Sequence, residues 1–320
     1  MHAELNARAN LAVTLGNRGI PLDMADMRDV LARAIATGNA LEAYRCLVNS
    51  LWTAQATMEL GQLELEIDAM REIMGPLPGV EGLDVYFAVS HAVLVDIPSG
   101  RWDRLEPIVA REEELLRVPL YGVRIISREL VGGMAMRRGD RAAAAEPLAA
   151  MREIASAAGE PQRVLPMAAV VMPFAALTGD MRTLRELTAT VLSTTDREWA
   201  QLTTTPIPRA LALAGETELL EEVAEAFASM ARDVGAPRIE ISATVAEGLV
   251  ALAAGRADEA VDRLRDAADR ERRLGWAYRA ACLDLDVARA LEAARLVGEA
   301  GAVRTRAAAI LQPLACVNAF

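Results

Sequence analysis

The chain has 320 residues, with 45 acidic against 34 basic side chains and a formal charge of −11, a balance that opposes binding to a phosphate backbone or an anionic membrane surface. All the basic residues apart from two histidines are arginine, so Schiff-base, P-loop and kinase-type lysine chemistry is excluded. Hydrophobic residues make up 53% of the sequence and aromatics only 4%, which predicts a core of Ala, Leu, Val and Met in close helix-on-helix contact.

The amino terminus, MHAELNARANLAVTLG, lacks the basic segment, long apolar stretch and small-residue cleavage site of a secretory signal. Residues 1–38 read as an atypical helical hairpin, with Ala3 to Leu15 and Met24 to Thr37 separated by Gly16 and Gly19. From there glycines recur at 61, 100, 139, 179, 215, 255 and 298, at intervals of 39, 39, 40, 36, 40 and 43 residues. A period of this length is that of a two-helix repeat, which stacks because no unit buries its apolar face alone. Each glycine closes a first helix in a left-handed turn, and the polar residue after it opens the second helix.

The predicted first helices are Ala40 to Leu60, Leu83 to Ile97, Leu120 to Arg138, Val164 to Thr178, Trp199 to Ala214, Arg238 to Ala254 and Trp276 to Val297. A second set of glycines, Gly75, Gly159, Gly235 and Gly275, marks where the second helices stop. The fold class expected is all-α, a single α-solenoid over 1–320 of about eight antiparallel hairpins in a right-handed superhelix. Repeats of about 40 residues occupy 40–275, and 276–320 form the closing hairpin.

Two features break the period. Pro166 and Pro173 fall inside one predicted first helix, and Pro206 and Pro208 inside the next. Interior proline removes a backbone hydrogen bond and crowds the preceding turn, so these helices are expected to kink or split. The longest apolar run, Val164 to Leu177, carries two of these prolines and spans 14 residues, short of the roughly 20 that a membrane span needs.

In ISATVAEGLVALAAGRADEAVDRLRDAADRERRLG, Gly248 stands seven residues before the turn glycine and Ala260, Leu264 and Ala267 follow it; Gly132, Gly139, Ala144 and Leu148 repeat that spacing. These positions resemble the tetratricopeptide repeat, in which a small residue lets the two helices of a unit approach. The closing segment RERRLGWAYRAACLDLDVARALEAARLVGEAGAVRTRAAAILQPLA resembles the last repeats of the MalT-like region of LuxR-type regulators and bacterial adenylate cyclases, through Arg273-Leu274-Gly275, Tyr278, Ala280, Leu283, Leu285, Ala288, Leu291 and Glu299-Ala300. The resemblance implies the sensor or scaffold part of such a regulator without the cyclase domain, the GxxxxGK[ST] module or the helix-turn-helix reader that accompany it there, either as a fragment of a longer regulator or as a free-standing relative that acts by binding.

Catalytic and metal chemistry is poorly supplied. Of the two histidines, His2 and His91, only His91 lies within an apolar helix, and a triad or metal cluster would have to be built around it. Glu112-Glu113-Glu114 reads as a solvated face, and Asp284 and Asp286, two apart, point to different sides of a helix. Cys46, Cys282 and Cys316 are odd in number and widely spaced, unsuited to a disulfide framework or zinc site. The expectation is a cytoplasmic, non-enzymatic protein with no metal or cofactor.

In tetratricopeptide arrays the first helices line the concave surface. Counting back from each turn glycine places Leu51, Gln55, Phe87, Leu94, Glu129, Met136, Ala169, Pro173, Arg209, Leu249 and Leu252 there, with His91 beside them. Such an apolar groove would take a partner helix or peptide, or a second copy of the chain. Trp52, Tyr86, Trp102 and Tyr121 are its natural aromatic anchors. Two alternatives stay open: a peptide or small-molecule sensor with a pocket near residues 166–209, and an all-α enzyme.

Overall fold

A computed structural model describes residues 2–17, 20, 22–54, 58–74, 83–117, 121–194 and 205–320. Helices account for nearly all of them. The amino-terminal part contains α1 (His2–Asn17), α2 (Met24–Ala36), α3 (Ala40–Ala54) and α4 (Leu60–Met74). Then comes α5 (Leu83–His91), which runs through a π-turn (Ala92–Asp96) into the short α6 (Ile97–Ser99). A 3₁₀ turn at Trp102–Arg104 leads to α7 (Glu106–Val109) and α8 (Glu112–Arg117). From there the hairpins are regular: α9 (Tyr121–Arg137) with α10 (Arg141–Ala158), α11 (Pro161–Thr178) with α12 (Met181–Thr194), and α13 (Pro206–Ala214) with α14 (Thr217–Val234). The last two pair α15 (Pro237–Ala253) with α16 (Ala257–Arg273) and α17 (Ala277–Ala293) with α18 (Val297–Leu311).

The turns show how the sequence sets this pattern. Gly139 closes α9 at φ +86°, a conformation that costs glycine no Cβ clash. One residue later the Asp140 carboxylate accepts the Ala143 N–H at 2.9 Å and caps α10. Gly61 and Gly298 depart from the expected role: both lie inside the first turn of a helix, α4 and α18. The last hairpin turns instead at Arg295, a non-glycine residue at φ +65°.

Pro166 and Pro173 sit within one uninterrupted helix, α11, rather than splitting it. Pro206 opens α13 instead of breaking it, at a position where the missing N–H has no helical partner in any case. The Trp199 start expected for that helix lies outside the described residues, as do Gln55, Gly75 and Leu120. The second helix of the third unit is broken into the 3₁₀ turn, α7 and α8, with Pro107 starting a new helical segment.

First helices stack on one another as an inner layer: α3 meets α5, α5 meets α9, α9 meets α11, α11 meets α13 and α13 meets α15. The layer does not stay open. Helix α17 packs against α6, and the Leu60 N–H donates to the Leu274 carbonyl at 2.9 Å. Trp276 joins the apolar cluster of the amino-terminal helices, while Tyr278 and Cys282 join that of Trp102, Leu105 and Val123. A buried ion pair between Arg209 and Asp286 ties α13 to α17. The superhelix therefore closes on itself around a small interior space.

Candidate functional site

That interior is a cavity of about 100 Å³ that opens to solvent at its mouth. Trp52 of α3 lines it, together with Val93 and Leu94 from the π-turn, Ile97 and Pro98 of α6, and Glu129 and Arg137 of α9. Pro166, Ala169 and Val170 of α11 and Pro206 of α13 form the next wall. Opposite stand Arg238 and Ser242 of α15, Glu271 of α16, and Tyr278, Arg279 and Cys282 of α17, with Phe320 from the tail.

The π-turn aims one wall. Its wider winding bonds residue i to i+5, so the Ile97 N–H reaches the Ala92 carbonyl and His91 and Asp96 fall on one face. His91 Nδ1 lies 3.0 Å from Asp96 Oδ2, and Arg101 Nε lies 3.4 Å from the other carboxylate oxygen. His91 thus staples the turn that presents Val93 and Leu94 to the cavity.

Three arginines, Arg137, Arg238 and Arg279, share this space with two carboxylates, Glu129 and Glu271. Burial pushes Glu129 up to about 7, against the opposing pull of Arg137 and Arg238. Glu271 is raised for the same reason and is countered by Arg279 and Arg238. Burial, reinforced by neighbouring Arg279, lowers Arg238 well below the arginine range. Burial also lowers Arg279, which Glu271 partly restores. Gly133 makes room for one of these groups: a Cβ there would lie 2.7 Å from Arg137 Nη1.

The polar complement is incomplete within the protein. Glu129, Arg137 and Glu271 are 8%, 7% and 2% exposed. Glu129 Oε2, Glu271 Oε2 and Arg137 Nε and Nη1 have no hydrogen-bond partner among the described residues. Buried groups of this kind cost free energy unless water or a ligand completes them. The cavity wall thus combines a donor group, Arg137, with two acceptor groups, Glu129 and Glu271, whose hydrogen bonding within the described residues is incomplete.

The expected groove residues divide. Leu94, Glu129 and Ala169 line the cavity. Leu51, Phe87 and Met136 are packed into the core, with Arg71 stacked 4.7 Å from the centre of the Phe87 ring. Pro173 is buried in α11 away from the cavity wall. Arg209 is buried in its ion pair with Asp286, and its Nη2 donates to the Cys282 carbonyl at 3.1 Å. Leu249 and Leu252 line a separate cavity with Leu211 and Arg289, and Gln55 lies outside the described residues.

Of the four aromatics expected as anchors, Trp52 lines the cavity and Trp102 is buried, with its indole N–H bonded to the Ile97 carbonyl. Asp284 and Asp286 are both buried and served by different arginines, Arg272 and Arg306 for the first, Arg209 and Arg289 for the second. Among the described residues no group of three or more His, Cys, Asp or Glu is placed to hold a metal ion. No described helix is long and apolar enough to cross a membrane.

Arg137, Arg238, Tyr278 and Arg279 stand at other offsets from the turn glycines than the expected groove residues, and Glu271 lies on a second helix. A usable signal was present in Glu129, Gly133 and Arg137, which follow at four-residue intervals and so stack on one helix face.

No protein-family model and no curated protein matches the sequence. Among solved structures, the crystal structure of a Rap protein complexed with competence and sporulation factor is similar, with a TM-score of 0.56 over 85% of this chain and 78% of that chain. The fold is a tetratricopeptide-like superhelix. Sequence identity to that structure is 14%, so the likeness is one of architecture.

Proposed function

We propose that the chain is a non-catalytic regulatory module that binds a short peptide or a protein segment, with the central cavity as its site. The observation that carries this reading is that Glu129, Arg137 and Glu271, each with a buried polar atom lacking a hydrogen-bond partner among the described residues, line one cavity. A peptide main chain supplies both the acceptor that Arg137 lacks and the N–H donors that the two carboxylates lack. Closure of the superhelix favours a short ligand over a long helix laid in an open groove, which brings the reading close to the sensor expected near residues 166–209. The similarity to a Rap protein crystallised with a bound factor supports the same class of activity. The MalT-like pattern of the closing repeats supports a regulatory role, and the three free cysteines accord with a reducing, cytoplasmic setting.

The test is native mass spectrometry of the purified chain against a pool of random pentapeptides, run beside Ala169→Phe. Ala169 is buried at the cavity wall, so a ring there fills the space. Selected peptides held by the parent chain and lost by a folded Ala169→Phe variant are expected. Equal retention by both would refute the cavity as the site.

A further inference from the structure

The segment following α18 does not trail into solvent. The helix ends with Ala315 at φ +50° and the Cys316 N–H bonded to the Leu311 carbonyl, which turns the chain back across the molecule. The next two N–H groups, of Val317 and Asn318, both donate to the Arg137 carbonyl at 2.8 and 2.9 Å. The Asn318 side-chain amide donates to the Met136 carbonyl at 2.8 Å. The Arg137 carbonyl is one of those left over where α9 stops, whereas the Met136 carbonyl also accepts the Gly139 N–H at 3.0 Å. Val317 lies so close to Gly139 that a Cβ on the glycine would come within 3.2 Å of it.

Two residues on, Phe320 reaches the cavity wall. The Tyr278 hydroxyl donates to the Phe320 carbonyl at 2.9 Å and lies 3.3 Å from the Phe320 N–H. The Arg209 guanidinium stands 5.4 Å from the centre of the Phe320 ring, within range of a cation–π contact. The segment is held by main-chain hydrogen bonds, one carboxamide and one aromatic ring, which are the means by which a protein holds a peptide. It nevertheless remains largely half-exposed, and Val317 is 72% exposed.

We propose that Val317–Phe320 is a built-in ligand of this protein: it occupies a peptide seat running from the carbonyl end of α9 to Tyr278, closes the cavity beside Cys282, and is displaced by an incoming peptide that carries a carboxamide side chain two residues before an aromatic one. The proposal rests on the cavity being a peptide site. Because the segment is tethered, it competes at an effective concentration on the order of millimolar, and an external ligand must exceed that to enter.

Cys282 reports on this directly. It lines the cavity and is buried, whereas Cys46 is buried among the amino-terminal helices and monitors the fold as a whole. Full-length chain and the double variant Asn318→Ala/Phe320→Ala are alkylated with iodoacetamide, and label at each cysteine is followed by peptide mapping. Release of the segment is expected to speed Cys282 labelling about tenfold or more with Cys46 unchanged, and the synthetic peptide Val-Asn-Ala-Phe at millimolar concentration is expected to slow it again. Unchanged Cys282 labelling overturns the proposal, as does acceleration that the peptide fails to reverse. If Cys46 accelerates too, Asn318→Pro is read in its place, since it removes two of the hydrogen bonds from a half-exposed position without touching the core. This readout needs no natural ligand, so it can fail while the pentapeptide selection succeeds, and the reverse.

Discussion

Replacing Gly132 or Gly248 with alanine probes the contact on which the repeat packing depends. A Cβ at Gly132 would lie 2.8 Å from both Cγ and Cδ2 of Leu148, and one at Gly248 would lie 2.9 and 3.0 Å from the same atoms of Leu264. Both leucines are buried, at 1% and 0% exposure, so neither swings away without disturbing its neighbours. Overpacking of this kind costs about 1–3 kcal/mol, while alanine in place of an interior helical glycine returns about 1 kcal/mol. A net loss of about 1 kcal/mol is expected at each site. Gly61 and Gly298 are the control, since both are helical and exposed and a Cβ there meets nothing within 4 Å. Alanine at these two is expected to stabilise by about 0.5–1 kcal/mol. Urea unfolding followed by circular dichroism should separate the two pairs by about 2 kcal/mol. Equal stabilisation at all four positions would refute the argument that small residues set the approach of the helices.

Asp286→Ala leaves Arg209 buried without its carboxylate and is expected to cost about 3–5 kcal/mol, read from the urea midpoint; a loss under about 1 kcal/mol would contradict the tie between α13 and α17. Glu129 has its carboxyl raised in the folded state to about 7, so between the ordinary glutamate value and pH 7 the folded chain binds more protons than the unfolded one. Stability from this group is therefore fully present at low pH and is lost as pH rises through 7, by roughly 3 kcal/mol in total. Glu271 is shifted in the same direction. Glu129→Gln is expected to flatten the pH dependence of the unfolding free energy between pH 5 and pH 8, and an unchanged profile would count against a buried carboxylate. Cys46, pushed up to about 12 by burial, should stay unreactive towards iodoacetamide at neutral pH while Cys316, half-exposed, is labelled.

Much of the architecture is written locally and so could be read from the chain. The turn at Gly139 with Asp140 capping the next helix, and the glycine–leucine pairs 132/148 and 248/264, each depend on residues within one hairpin. The turn at Arg295 carries no glycine to announce it, and Gly298 stands three residues too late. The π-turn at Ala92–Asp96 has no compositional mark, although the His91 and Asp96 pair five residues apart is its side-chain consequence.

The cavity was least legible because it is a product of closure. Asn318 meets Met136 across 182 positions of sequence, and Arg209 meets Asp286 across 77. Counting back from turn glycines assumed an open array, in which Leu51 and Met136 would face a groove; closure buries both. Arg137, Arg238 and Arg279 each look like solvated charges within their own helices, and only the ring of helices brings them to Glu129 and Glu271.

The most direct test of the central claim is a crystal structure of the chain with the tightest pentapeptide from the selection. The account predicts peptide density between Arg137, Glu129 and Glu271, with Val317–Phe320 displaced from Tyr278. Peptide density on the outer helices, with the cavity unchanged and Phe320 still at Tyr278, would contradict it.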